Sequence, residues 1–526
     1  MDDGGRHRPH RLSGGGGPVD RLAAWLAPRA TTLGVLGAVL LLAGGCWYQA
    51  LVTPPYRFTD EQAHAGYVLE VQAARLPSID TPIDGASGGV ALRERLAIEP
   101  ARRHTVWVAN DPPVAYVVAA PAAAVTRALG TPGGPLLGLR LANAVAAAVA
   151  VVLAFRLARD LAGGDRTVGL VAAGLVAATP HLGFVAALGS TDGFAVMAST
   201  GVLAALARVC GAGSGALAER GRGEVRALGL WCAAAAAVRP MALVFAVAAG
   251  AIGLGVALVR RRCSPWWALG WLVVPSVVTS GWWYALNVHR YGDPTASDTL
   301  FERFGRSPNG SLASTLALRG MWESLLRTLT TRRLEAPLPD DPRSWYQLAL
   351  LVLVFGAVGT IVLLVRTRRH VGAWAACAAL SAIPVLLTAQ HRAGGGAPHP
   401  RYLLPMVPFA AAMVAFAVVR LLTRWTGLAL VLGAATATFL QTRASARWLG
   451  ANPTGPVGSQ LTSPIGPVAL RGLGALAAAG GLVLLVAAIA AAPSAVGEGA
   501  DQPAPVDVPQ GGSVHAGADP DGDPPT

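Results

Sequence analysis

The chain reads as an all-α, polytopic membrane protein, and three observations predict it. Of its 526 residues 53% are hydrophobic and only 13% are charged, where a soluble domain carries about 25% charged residues. Mean hydropathy is +0.48. The apolar residues form continuous runs separated by short charged intervals, and a run such as Thr31 to Val52 reaches the roughly 20 residues that cross a bilayer. Only helices and closed barrels satisfy their backbone hydrogen bonds in lipid. Continuous rather than alternating runs select helices.

The runs predict spans near 31–52, 140–160, 167–183, 190–209, 227–239, 241–259, 265–287, 345–366, 371–389, 402–422, 427–441 and 468–492. The segment 112–130 is a further candidate, so about 12–13 transmembrane helices are expected. Residues 1–29 read as a disordered cytoplasmic N-terminus, 30–492 as the transmembrane domain, and 493–526 as a disordered tail rich in Pro, Gly and Asp. The first run follows Arg6, Arg8, Arg11, Arg21 and Arg29 with no clear A-x-A cleavage site after it, as in a retained signal anchor.

The formal charge of +13 comes with 42 basic side chains, every one an arginine. They flank apolar runs in short loops, the pattern of the positive-inside rule, and this excludes a nucleic-acid partner. If 112–130 does not cross, then Arg156, Arg159, Arg166, Arg208, Arg260, Arg366, Arg368 and Arg369 all fall inside. That layout makes 112–130 re-entrant or interfacial and both termini cytoplasmic. Segments 53–111, 288–344 and 390–401 become outer loops. The first outer loop carries helix-compatible stretches at 59–75 and 90–99, and the second one near 311–330. The five cysteines lie in or beside apolar runs without a CxxC and read as small packed hydrophobes.

Chemistry concentrates at a few outer positions. Asp60 and Glu61 follow the first span closely, and His64, four residues after Asp60, shares its face on a helix. A cap at Thr59 or Asp60 explains the same pattern. Asp192 interrupts an apolar stretch and sits at the outer end of the helix 190–209, where an ionisable residue facing a cavity is a functional candidate. Capping by Ser190, Thr191 or Asp192 is compatible with that role. Arg239, before Pro240, and Arg401, in APHPRYLLPMVP, are the outer cations that could hold a phosphate bidentately. Snorkelling to lipid headgroups is the alternative. No Walker loop, HExxH, GxSxG or dinucleotide fingerprint stands in a suitable context.

Over roughly residues 30–440 the chain resembles the GT-C superfamily of membrane glycosyltransferases, in particular the protein O-mannosyltransferase and aminoarabinose transferase-like branch. The resemblance rests on TDEQAH in the first outer loop, NDPPVAY at 110–116, GLRLANAVAAAVAVVLAFRLARDLAG at 138–163, GLVAAGLVAATPHLGFVAALGSTDGFAV at 169–196 and HPRYLLPMVP at 399–408, in that order. WWYALNVHRYGDP at 282–294 is similar to the family's exit into its large outer loop. The chain departs from the family at Asn110-Asp111, where a histidine is usual before Pro-Pro, and at Arg239-Pro240, where a lysine-glycine is common.

The resemblance implies a GT-C-like fold with a helical first outer loop and transfer of a sugar from a polyprenyl-phosphate donor to an extracytoplasmic acceptor. It implies Asp60 as general base, Glu61 or Asp192 orienting the acceptor or a metal, and Arg239 and Arg401 on the donor phosphate. His64, Asn110, Asp111, Tyr116 and Tyr402 would line the substrate cavity. The implied partners are the polyprenyl-phosphate sugar, a glycan, lipid or protein acceptor, and membrane lipid. The resemblance specifies no cofactor, and a divalent metal is the one candidate. Two other readings share these features: a catalytically inactive GT-C-like protein of cell-envelope assembly, and a lipid-linked glycan transporter. A transporter predicts charges near the bilayer midplane and broken helices there.

Overall fold

The structure is a computed structural model that describes residues 27–58, 60–131, 133–211, 218–260, 263–331, 343–451 and 468–492. The sequence readings for residues 1–26 and 493–526, and for Thr59, lie outside these. Among the described residues the secondary structure is helical apart from one isolated bridge, Pro82 to Thr105. In order the helices are α1 Ala30–Val52, α2 Glu61–Gln72, α3 Val90–Ile98, α4 Val114–Ala128, α5 Pro135–Leu161, α6 Arg166–Ala177, α7 Pro180–Ala186, α8 Asp192–Gly211, α9 Ala218–Ala236 and α10 Pro240–Val259. There follow α11 Pro265–Ser276, α12 Trp282–Tyr291, α13 Ser297–Arg303, α14 Leu312–Leu316, α15 Arg319–Thr331, α16 Arg343–Thr367, α17 Val371–Ala393, α18 Val407–Leu421, α19 Arg424–Ala451 and α20 Val468–Ala491.

Eight of these helices are long and apolar enough to cross a membrane, and nine spans result if α6 and α7, bent by 61°, count as one. The chain is a multi-pass membrane protein. The remainder of the twelve runs read from the sequence are helical but fail the same test. Helix α9 begins with Arg220, Arg222, Glu224 and Arg226; α11 and α12 are separated by a π-helical turn at Val277–Gly281; α19 is diluted by Thr and Gln. Helix α4 has 15 residues, about 22 Å at 1.5 Å per residue, which is short of a hydrocarbon core of about 30 Å. One face of it packs through Ala115, Tyr116, Ala119 and Ala123, while Val117, Val118 and Val125 are exposed. An apolar face left open on a helix too short to span suits the membrane interface.

Small residues set the closest helix contacts. At Gly37 an added Cβ would stand 2.6 Å from the carbonyl oxygen of Gly481, and at Gly44 2.6 Å from that of Gly474. Helices α1 and α20 therefore meet backbone to backbone, the packing that small residues permit in lipid. A second core lies within the segment between α1 and α5, where Tyr56, Tyr67, Tyr116, Ile79 and Leu92 are buried together with Trp283 of α12. Tyr67 and Tyr116 stack with centroids 3.8 Å apart. Burial of each such side chain contributes roughly 1.5–3 kcal/mol, which anchors α2 and α4 against the bundle.

The helices alternate in direction, so their ends sort into two sets. The C-terminal end of α17 and the N-terminal ends of α8 and α10 border one large cavity. The C-terminal turns of α5, α8, α16 and α18 carry Arg159, Arg208, Arg366 and Arg420, and Arg260 caps the C-terminus of α10. There Arg420 pairs with Asp165 at 3.0 Å, and Arg159 with Asp160 at 2.7 Å.

Candidate active site

The cavity has a volume of about 1340 Å³ and brings together Asp60, His64, Asn110, Asp111, Asp192, Arg239, Arg401 and Tyr402. Each arrives by a local rule. Asp60 ends the loop that follows α1 and has φ +84°, in the left-handed region. Asp is among the few residues that adopt this region readily. Its carboxylate makes no capping bond to α2 and reaches Arg401 instead, Nη2 to Oδ2 at 2.8 Å. Arg239 precedes Pro240, which disfavours helical backbone at the residue before it. It is extended, with φ −153° and ψ 150°, and marks the break between α9 and α10. Arg401 lies in a 3-10 turn, Pro400–Met406, ahead of α18.

Asp192 opens α8, where it is placed by Asn143 on α5. The Asn143 Oδ1 accepts the Gly193 N–H at 2.7 Å, and its Nδ2 donates to the carbonyls of Val185 at 2.9 Å and Leu188 at 3.0 Å. A Cβ at Gly193 would overlap the Asn143 backbone, so the glycine permits this approach. Ser190 Oγ donates to Asp192 Oδ2 at 2.9 Å.

The charges form one alternating network. Arg239 donates from Nη1 to Asp192 Oδ1 at 2.5 Å and from Nε to Thr191 Oγ1 at 2.7 Å, and its Nε is 3.9 Å from Asp111 Oδ2. Arg401 Nη1 is 4.0 Å from Asp192 Oδ2. Arg401 thus touches both Asp60 and Asp192, and its Nε is buried without a hydrogen-bond partner. Two guanidiniums held by three carboxylates at a cavity wall can accept an anion by exchanging partners.

The environment separates the protonation states. Burial alone would raise the Asp60 carboxyl, but the Arg401 guanidinium outweighs it and holds the carboxyl below its usual value. Burial, with Arg239 nearby, pushes the His64 imidazole down to about 3, so it is neutral at pH 7. Its Nδ1 is 2.8 Å from the Tyr116 hydroxyl. Burial pushes the Asp111 carboxyl up to about 7; Arg239 opposes the rise and Asp192 adds to it.

Two of the sequence-derived candidates are set apart from this network. Glu61 borders the cavity but is 1% exposed, and both of its oxygens are engaged. Arg140 donates Nε to Oε1 at 2.9 Å and Nη2 to Oε2 at 2.8 Å, and the Gly189 N–H donates to Oε1 at 2.8 Å. Arg140 also donates to the carbonyls of Ala50, Thr53 and Pro54. Asp60, left-handed and outside α2, meets the cavity cation, whereas Glu61, the first residue of α2, holds the Arg140 that ties α5 to the end of α1. Tyr116 is fully buried behind His64 and does not line the cavity. Asn110 lines it, and its carbonyl and side chain are tied to Trp283, Asn287 and Thr295.

Sequence reasoning passed over Arg140 and Asn143. The available signal was the requirement that a charge inside an apolar helix be paired: an arginine in the first turns of α5 needs an acid, and Glu61 is the acid at hand. As for a metal, no group of three or more His, Cys, Asp and Glu side chains that could hold one exists among the described residues. Asp60, Asp111 and Asp192 are already engaged by Arg239 and Arg401, whose charges would repel a dication. This donor set does not fit a metal ion.

No protein-family model matches the chain, and no curated protein matches it. Solved structures similar to it include ArnT from Cupriavidus metallidurans bound to undecaprenyl phosphate, at 14% identity and a TM-score of 0.47, covering 86% of this chain and 76% of that one. They also include the archaeal oligosaccharyltransferase AglB from Archaeoglobus fulgidus in complex with an inhibitory peptide and a dolichol-phosphate, at 14% identity and a TM-score of 0.39, covering 79% of this chain and 57% of that one. Both neighbours are GT-C glycosyltransferases.

Proposed function

We propose that the chain is a membrane glycosyltransferase that moves a sugar from a polyprenyl-phosphate donor to an acceptor hydroxyl on the outer side of the membrane. The observation that carries the reading is the bridge made by Arg401 between Asp60 and Asp192 in one large cavity, with Arg239 completing the cluster. The arginine-rich short connections at the opposite end support a cytoplasmic position for that end, and hence an outward-facing cavity.

In this reading the donor phosphate binds Arg401 and Arg239, using the spare Nε of Arg401 and loosening its pairing with Asp60. The acceptor hydroxyl oxygen attacks the anomeric carbon. Its C–O bond forms as the bond from that carbon to the phosphate oxygen breaks. The electron pair leaves on the polyprenyl phosphate, where the two guanidiniums stabilise it. The hydroxyl proton passes to the Asp60 carboxylate, which must come within hydrogen-bond reach of it. Asp192 keeps both arginines charged and aimed. His64, neutral and fixed by Tyr116, borders the base without adding a positive charge.

Purified chain carrying Asp60→Asn should lose transfer from a polyprenyl-phosphate sugar by about 10²–10⁴-fold while retaining its wild-type melting profile. A folded variant with full transfer activity would refute the base assignment. A wild-type chain inert with every polyprenyl-phosphate sugar tried would favour the inactive assembly-protein reading.

A further inference from the structure

The cavity has a second wall that takes no part in the chemistry above. It is formed by Trp107, Phe301, Phe304, Arg306, His391 and Tyr402. The rings follow one another: Trp107 meets Phe304 at 5.5 Å, Phe301 meets His391 at 5.5 Å, and His391 meets Tyr402 at 5.4 Å between centroids. Between the two phenylalanines the Arg306 guanidinium carbon stands 5.3 Å from the Phe304 centroid and 5.7 Å from that of Phe301. At the far end Arg401 lies over Tyr402 at 5.6 Å while its Nη2 reaches Asp60. The wall therefore runs from Trp107 past Arg306 to the proposed base.

Arg306 differs from the other arginines of the cavity. Arg239 and Arg401 are paired with Asp192 and Asp60, and Arg103 with Glu99 at 3.4 Å. The Arg306 guanidinium makes no ion pair and no hydrogen bond among the described residues, although Asp298 and Glu302 line the same cavity. Two ring faces hold it by cation–π attraction, which fixes its position without using a donor. His391 adds an Nε2 that is buried without a partner.

We propose that this wall is the acceptor subsite, and that the acceptor is a carbohydrate bearing an anionic group, phosphate or carboxylate, remote from the hydroxyl that reacts. A pyranose ring offers an apolar C–H face to aromatic rings. The planar, unspent fork of Arg306 suits a carboxylate or phosphate. The inference rests on the glycosyl-transfer reading, which puts the reacting hydroxyl at Asp60.

The test uses the full chain in nanodiscs of zwitterionic lipid, with glucose, glucuronate and a phosphorylated glucose as probes in saturation-transfer NMR. The charged sugars should bind about tenfold more tightly than glucose, and R306Q should abolish that preference. R306K, which keeps the charge but not the fork, should restore part of it, and unchanged melting of both variants shows that they fold. Equal binding of charged and neutral sugars overturns the proposal, as does a preference that survives R306Q or is removed only by Arg401→Gln. Replacing the lipid with phosphatidylglycerol separates the sources of the anion: surviving sugar binding supports the proposal, and its loss means that Arg306 serves a lipid headgroup, which overturns it. A chain that binds charged sugars through Arg306 yet transfers nothing fails the glycosyltransferase reading and leaves the subsite standing.

Discussion

Arg401 and Asp60 are 341 positions apart in sequence, and their side chains meet at 2.8 Å. The contact joins the loop after α1 to the turn before α18 at the cavity. It also holds the proposed base as a charged and therefore weak one until an anion draws Arg401 away.

Removing the guanidinium should be visible in a pH profile. The Asp60 carboxyl lies below its usual value because Arg401 outweighs burial. In R401Q burial acts with less opposition and the carboxyl rises. The acid limb of transfer activity should then move to higher pH, with a fall in rate on the order of 10²–10³-fold from lost phosphate stabilisation. A limb that stays in place would show that Arg401 does not set the Asp60 proton affinity.

The pair of Arg140 and Glu61 should behave as a structural tie. Arg140→Met leaves a buried, unpaired Glu61 and should cost about 3–5 kcal/mol, read as a lowered thermal midpoint in detergent. The double variant R140M/E61L should recover most of the loss. If the single variant melts like wild type, the pair does not hold α5 to α1.

Gly193→Ala tests how Asp192 is placed. The new Cβ must push against the Asn143 backbone, and the bond from the Gly193 N–H to Asn143, 2.7 Å, lengthens or breaks. Overpacking of this kind costs roughly 1–3 kcal/mol. Transfer should fall with it because Asp192 moves relative to Arg239; a stable variant with wild-type kinetics would remove Gly193 from the argument.

Asp111 and His64 make opposite contributions to stability across pH. The Asp111 carboxyl is raised to about 7 in the folded chain, mainly by burial. The stability it contributes is full below its unfolded value of about 3.9 and is lost as pH rises through about 7. The His64 imidazole is depressed to about 3 by burial, so its contribution is present above the unfolded value of about 6.5 and is lost as pH falls. D111N leaves the His64 contribution unopposed. Its melting midpoint should climb more between pH 4 and 7 than that of wild type, and equal slopes would contradict the Asp111 assignment.

Much of the site was legible in the sequence one residue at a time. An aspartate that interrupts an apolar stretch and an arginine that breaks one are conspicuous because lipid tolerates neither without a reason. Hence Asp192, Arg239 and Arg401 stand out from local sequence alone. The roles of Asp60 and Glu61 were not separable that way. They are neighbours of the same charge, and only the position of Arg140, 79 residues beyond Glu61, decides which one is spent on the fold. Tyr116 and the wall that holds Arg306 were hidden for the same reason, since whether a ring lines a cavity depends on what packs behind it.

The sequence by itself determined that the chain is helical and embedded in a membrane. A backbone in hydrocarbon must satisfy its hydrogen bonds within its own segment, so a continuous apolar run specifies a helix without reference to any distant residue. Partnership among the charges was decided only by the tertiary structure. An ion pair depends on side-chain direction and on contacts spanning hundreds of residues, and neither is written in local pattern. Three carboxylates and two guanidiniums brought to one cavity by five chain segments are a property of the packed bundle.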